Sequence, residues 1–217
     1  MKKKKFIAEQ QRNRMLETSG INATAGANLF SIDIQPEYEN SITFIDTYIQ
    51  YLNENYNTLN SLTFFFNGEN TLGMISENDY RYWLMRNGLS EEVLEYASFY
   101  DKGYAFFRYC MDEGIDDEDI VALVKFMMNN NINDSRDITK ELWNQFVIEN
   151  EIEQSEARDL LEASDDMINV PDLMDYLKNY YGKITLCGGG IDECMKEVEI
   201  ALMTLDKPYN VLTQFSY

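Results

Sequence analysis

Short apolar runs alternate along the chain with longer segments in which apolar residues recur at helical spacing. A run of about four to eight apolar residues bounded by turn residues is typical of a buried strand. Such runs predict strands at 29–33, 62–66, 97–101, 184–187 and 209–217. Apolar residues spaced for one face of a helix predict helices at 41–56, 116–128, 139–148, 155–163, 170–178 and 192–205.

The order of these elements predicts the fold class. Strands separated by helices favour an α/β, Rossmann-like fold, with a mainly parallel sheet and helices on both faces. Because no strand pattern occurs between 112 and 180, we predict that 112–172 is all-helical, and we name this segment the insertion for the family comparison given below. The core then consists of 26–111 and 173–217, and residues 1–25 form a basic and polar N-terminal extension.

Negative charge is concentrated in the predicted insertion. The chain has 18 basic and 38 acidic residues, a net charge of −20, and residues 112–172 alone hold 18 acidic and 4 basic residues. Such a surface is repelled by nucleic acid and by anionic membranes, so we expect neither as a partner. A basic protein that binds the acidic insertion is the partner that this charge would attract.

Missing residue types restrict the chemistry further. The chain has no histidine, which excludes imidazole-based metal sites and Ser–His or Cys–His catalytic pairs. Three cysteines without a C-x-x-C motif do not make a disulfide framework, and no apolar run reaches the roughly 18 residues that a membrane span needs. We therefore expect a cytoplasmic protein with reduced thiols and with no metal or cofactor.

Three chemically reactive residues follow predicted strands. Asp33 ends the first strand, Lys102 follows the strand at 97–101, and Cys194 follows a glycine turn at the start of a helix. In doubly wound sheets, working residues collect at the carboxyl ends of the strands. The positive end of a helix dipole and a nearby ammonium both favour a thiolate over a thiol. Asp33, Lys102 and Cys194 therefore make a complete set for acyl transfer, with the carboxylate as the proton carrier.

The glycine turn supplies a predicted oxyanion site. The glycines let backbone N–H groups of the turn, about Gly190 to Cys194, approach a developing negative charge closely, and the residues assigned this role are Gly189, Gly190 and Ile191. The spacing of the glycines does not match the G-x-G-x-x-G motif of nucleotide-binding proteins. The other two cysteines, Cys110 and Cys187, are predicted to be packing residues.

Three sequence blocks resemble the isochorismatase-like cysteine hydrolases, which include nicotinamidases and N-carbamoylsarcosine amidase. Residues 29–38 resemble the first strand with its D-x-Q motif and following aromatic, residues 101–107 the lysine block, and residues 188–195 the cysteine turn. The resemblance implies catalytic roles for Asp33, Lys102 and Cys194. It also implies hydrolysis of a carbon–nitrogen bond in a small amide, through a covalent acyl-enzyme.

The chain also departs from this family pattern. The interval of 92 residues from Lys102 to Cys194 exceeds the usual one, and we assign the excess to the acidic insertion. The Asp-x-His metal motif of nicotinamidases is absent, which disfavours nicotinamide as the substrate.

Each site residue also has a plain structural interpretation. Cys194 could be a buried packing residue, and Asp33 could cap the helix that follows it. The alternative to an enzyme is a non-catalytic acidic interaction protein on a degenerate hydrolase fold, which binds a basic partner through its insertion. Assembly of several copies is left open.

Overall fold

The computed structural model describes residues 15–17, 24–69, 73–102, 111–112, 114–165 and 172–217. These residues fall into two compact units. The first draws on the ranges Met1–Tyr104, Tyr180–Lys196 and Pro208–Tyr217, and the second on Ala105–Asn179 and Glu197–Lys207.

A six-stranded sheet forms the centre of the first unit. Its strands are β1 (Met15–Glu17), β2 (Asn28–Ile32), β3 (Ser61–Phe66), β4 (Ser98–Asp101), β5 (Ile184–Gly188) and β6 (Tyr209–Ser216). They lie in the order β1-β6-β5-β2-β3-β4, and all neighbouring pairs are parallel. β1 falls in the range that was expected to be an N-terminal extension; its pairing with β6 is an addition to the predicted sheet.

The described helices of the first unit connect β2, β3 and β4. They are α1 (Glu39–Ile42), α2 (Ile45–Asn55), the 3-10 turn Tyr56–Thr58, α3 (Glu77–Arg86) and α4 (Glu91–Tyr96). The helix predicted over 41–56 is divided at Thr43 and Phe44. Ser76 and Ser90 cap α3 and α4, each accepting a hydrogen bond from the backbone N–H three residues later.

Burial of the central strands confirms the predicted α/β class. Every residue of β2 and β5 is buried, which is typical of a parallel sheet covered on both faces. One face carries Leu29 and Phe64, and Tyr48 of α2 and Tyr80 of α3 belong to the same core cluster.

All the regular secondary structure described in the second unit is helical. It contains α5 (Asp117–Asn129), the 3-10 turn Ser135–Asp137, α6 (Lys140–Asn150), α7 (Gln154–Asp165), α8 (Asp172–Lys178) and the later residues of α9 (Cys194–Thr204). The helices predicted between 112 and 180 thus agree with the structure in type. Whether 112–172 is an insertion stays a prediction, and the compact unit also takes in 197–207. Among the described residues, no helix combines the length and the apolar character that crossing a bilayer requires.

Candidate active site

The site lies where the strand order changes direction. From β2 the chain continues to β3 and β4 on one side, whereas β5 and β6 lie on the other side of β2. In open α/β sheets, ligands bind in the crevice outside the carboxyl ends of the strands at such a switch point. Asp33 follows β2 and the glycine turn follows β5, and Ile32 is paired in register with Gly188. The sequence-predicted acid and cysteine turn therefore flank this crevice.

Asp33 is held in a left-handed backbone conformation directly after β2. Its φ is 48°, a region that aspartate visits more readily than most residues. Its N–H donates to the carbonyl of Phe65 at 2.9 Å, and its own carbonyl accepts from Ser41 Oγ at 3.2 Å. These bonds end the strand and fix the direction in which the carboxylate leaves the backbone.

Asp33 and Lys102 form a buried ion pair. Lys102 Nζ lies 2.9 Å from Asp33 Oδ2, and the two side chains are 2% and 0% exposed. Lys102 follows β4, two strands from β2 and so about 10 Å across the sheet. The long lysine side chain crosses β3 to reach the carboxylate, and the Lys102 N–H donates to Phe66 O on β3 at 2.8 Å.

The other oxygen of this carboxylate is unpaired. Neither buried oxygen of the Asp33 carboxylate makes a hydrogen bond of good geometry with a described residue, and Oδ1 also lacks the ion-pair contact that Oδ2 has with Lys102. A buried carboxylate oxygen in this state carries a desolvation cost, and such groups require an explanation in terms of function or a ligand. Oδ1 is thus the atom of the pair that is available to accept a proton.

Cys194 begins α9, after a turn that packs tightly on β2. Gly188 has a φ of 95°, and a Cβ at this position would lie 2.1 Å from the carbonyl oxygen of Ile32. Gly189 N–H donates to the same oxygen at 2.7 Å. A Cβ at Gly189 would lie 3.2 Å from Cβ of Cys194, which places the cysteine against the turn. Cys194 is 7% exposed.

Two of the three predicted oxyanion donors have other partners. Gly189 N–H is bonded to Ile32, and Ile191 N–H donates to the carbonyl oxygen of Tyr217 at 2.7 Å. The prediction therefore needs correction at these two positions, because a used N–H group cannot hold an oxyanion as well. Gly190 N–H has no acceptor among the described residues, so it remains the candidate of the predicted set.

Two tyrosine phenols reflect the charges around the site. Burial, Asp33 and Cys194 raise the pKa of Tyr38, while Asn67 and Lys102 lower it. Burial, Cys194 and Asp33 also raise the pKa of Tyr217. Both phenols therefore experience the charges of the carboxylate and the thiol, and Tyr38 also experiences that of Lys102.

Several residues that hold this arrangement were missed by sequence reasoning. Tyr217 closes the glycine turn: its carbonyl accepts from Ile191, and its N–H donates to the Gly189 carbonyl at 3.3 Å. Asn67 Nδ2 donates to Tyr38 Oη at 2.7 Å. Tyr217 and Asn67 follow β6 and β3, so the strand-end rule that found Asp33 and Lys102 also covers them.

The second described cysteine is chemically different. Cys187 is fully buried in β5, and burial raises the pKa of its thiol to about 12. Its Sγ lies 3.5 Å from Tyr48 Oη, within the core. Cys187 fits the predicted packing role, and Cys110 lies outside the described residues.

Tyr80 supports the loop that follows Asp33. Its hydroxyl, fully buried, donates to the carbonyl of Ile34 at 2.6 Å. We expect Tyr80→Phe to lower the free energy of unfolding by about 1–3 kcal/mol, because the buried carbonyl loses its donor. Urea unfolding measures this change, with Tyr82→Phe on the exposed face of α3 as the control. Equal stability of the two variants would mean that the hydrogen bond contributes nothing.

Comparison of the chain with known proteins found no relative. No protein-family model matches the chain, and no curated protein or solved structure does so either. In the described residues, no group of three or more acidic or cysteine side chains is arranged to hold a metal ion.

Proposed function

We propose that the protein is a cysteine hydrolase that cleaves a carbon–nitrogen bond of a small amide, similar to the isochorismatase-like hydrolases. The observation that carries this proposal is the buried Asp33–Lys102 ion pair, with its unpaired Oδ1, at the switch point beside the Cys194 turn. A buried ion pair is weak evidence of stability, since its desolvation opposes its attraction. Its placement in a ligand crevice supports a catalytic role instead.

In the first half of the reaction, Asp33 accepts the thiol proton of Cys194 and the sulfur attacks the amide carbonyl. A carbon–sulfur bond forms, and the carbonyl oxygen takes the negative charge, which the N–H of Gly190 can hold. Asp33 then gives its proton to the departing nitrogen as the carbon–nitrogen bond breaks. The products are a free amine or ammonia and a thioester on Cys194.

In the second half, water attacks the thioester. Asp33 takes a proton from this water, and the sulfur leaves and recovers a proton from Asp33, which releases the carboxylic acid. Lys102 remains protonated throughout and stabilises the negative charge that moves between Asp33 and the sulfur. No cofactor or metal enters this sequence of steps.

Alkylation with iodoacetamide tests whether Cys194 is a reactive thiol. We expect Cys194 to react near neutral pH faster than a free thiol, because Lys102 and the start of α9 favour its thiolate. Cys187 is the internal control: with a thiol pKa of about 12 it stays protonated near neutral pH and should remain unlabelled. Mass spectrometry of the labelled peptides gives both rates.

Variants assign this reactivity to the proposed triad. Asp33→Asn and Lys102→Met should each slow the labelling of Cys194 about tenfold or more, as expected for the loss of a positioned catalytic group. Glu95→Gln, on exposed α4, is the matched control and should label at the unchanged rate. Labelling of Cys194 at the rate of an unfolded peptide, unaffected by the variants, would contradict the proposal. The non-catalytic acidic binding protein would then be the favoured function.

A further inference from the structure

Two exposed carboxylates belong to the segments that carry Asp33 and Cys194. A Cβ at Gly190 would lie 3.2 Å from Oε2 of Glu193, so this carboxylate folds over the turn that carries the candidate oxyanion N–H. Glu193 also raises the pKa of Tyr217, the same phenol that Cys194 and Asp33 affect. Its negative charge therefore reaches the site from the glycine-turn side.

Glu37 supplies the second carboxylate, in the loop that follows Asp33. Its Oε2 accepts a hydrogen bond of 3.0 Å from Nε2 of Gln35, a fully buried side chain. Burial raises the pKa of Tyr80 most, and Asp33 and Glu37 raise it further, so the two carboxylates act on one phenol. The hydrogen bond to Gln35 orients Glu37 although its residue is exposed.

Among the described residues, the charges that the site brings together do not cancel. Lys102 is the cation in contact with Asp33, and the two neutralise each other at 2.9 Å. Glu37 and Glu193 then remain as negative charges at the rim. Beside them lie less polar groups: Tyr38, whose hydroxyl is 3.7 Å from Met74 Sδ, and Ile191, which is 38% exposed.

We infer that the site selects small amides that carry a positive charge and rejects amides that carry a carboxylate. This inference rests on the proposed function and specifies its substrate class. A cationic substrate gains attraction from Glu37 and Glu193, whereas a carboxylate is repelled by both. A bound cation also favours the thiolate of Cys194, because it offsets the neighbouring carboxylates that oppose it.

Three thiol reagents with one reactive group and different charges test this inference. They are aminoethyl, hydroxyethyl and sulfonatoethyl methanethiosulfonate, which are cationic, neutral and anionic. The rate of modification of Cys194 with each is divided by its rate with free cysteine. We expect the cationic reagent to exceed the anionic one by about tenfold or more at low salt, and the ratio to fall as salt screens the exposed carboxylates.

Charge-neutral variants separate the local effect from the net charge of −20. Glu37→Gln and Glu193→Gln should each reduce the cationic-to-anionic ratio severalfold. Glu95→Gln removes the same charge from α4, which precedes β4 and so lies away from the carboxyl ends of the strands, and it should leave the ratio unchanged.

The possible outcomes distinguish this inference from the proposed function. The inference is overturned if Cys194 is modified fast but at a rate that does not depend on the charge of the reagent, or if the anionic reagent reacts fastest. The hydrolase proposal then still stands. A ratio that falls equally in all three variants also overturns it, because the selection then belongs to the whole surface. Slow modification by every reagent overturns the proposed function and the inference together.

Discussion

Replacement of Lys102 by methionine should lower the free energy of unfolding by about 3–5 kcal/mol, the usual cost of removing one partner from a buried pair. The side chain of Lys102 is 2% exposed and that of Asp33 is fully buried. Methionine keeps most of the apolar stem that crosses β3, so the variant tests the charge more than the packing. The loss arises because the Asp33 carboxyl group would remain buried with no counter-ion to offset its desolvation.

A double variant separates charge from shape at this pair. Asp33→Asn in the Lys102→Met background removes the carboxyl group that lacks a counter-ion, so most of the lost free energy of unfolding should be recovered. The reactivity of Cys194 should not return, since both the proton carrier and the ammonium are gone. Urea unfolding and iodoacetamide labelling of the same samples give the two results. If the single and double variants are equally stable, the ion pair does not control folding in the way its burial indicates.

The central strands were predictable because they are rich in apolar residues. Residues 62–66 are four-fifths aromatic or aliphatic, and the strand found there is buried at five of its six positions. β1 could not be found in this way. It is a three-residue strand with one charged position, and its pairing with β6, far along the chain, decides its conformation.

The helices α3 and α4 were missed for a different reason. Both are rich in charged residues, and in α3 only Tyr80 and Leu84 are buried. So few apolar positions do not show a helical period, so periodicity does not predict these helices. Their serine caps carry a signal that could have found them: Ser76 and Ser90 each precede acidic residues in the first helical turn, a common mark of a helix start.

The candidate site was also predictable only in part. Strand-end reasoning located Asp33 and Lys102, and the structure brings them into contact. This reasoning could not show which N–H groups of the turn already donate to other carbonyl groups. Ile191 donates to Tyr217, which follows a different strand, and such a contact depends on the three-dimensional path of the last strand.

Gly188→Ala is expected to be among the most destabilising single substitutions in the chain, at about 4 kcal/mol or more. Two effects add together. The φ of 95° is strained for any residue with a Cβ, and that Cβ would lie 2.1 Å from the carbonyl oxygen of Ile32. The obstacle is backbone of the neighbouring strand, so relief requires β2 and β5 to move apart at the site.

Two other glycines make a graded control for this prediction. Gly182 has a φ of 87°, and a Cβ there would have no atom within 4 Å, so Gly182→Ala should show the backbone strain alone, about 1–2 kcal/mol. Gly189→Ala would bring its Cβ to 3.2 Å from Cys194 Cβ and should fall between the two. Urea unfolding ranks the series, and soluble yield ranks a variant that does not fold. A Gly188→Ala protein as stable as Gly182→Ala would contradict the close approach of the turn to β2, which places the Cys194 turn against the end of that strand.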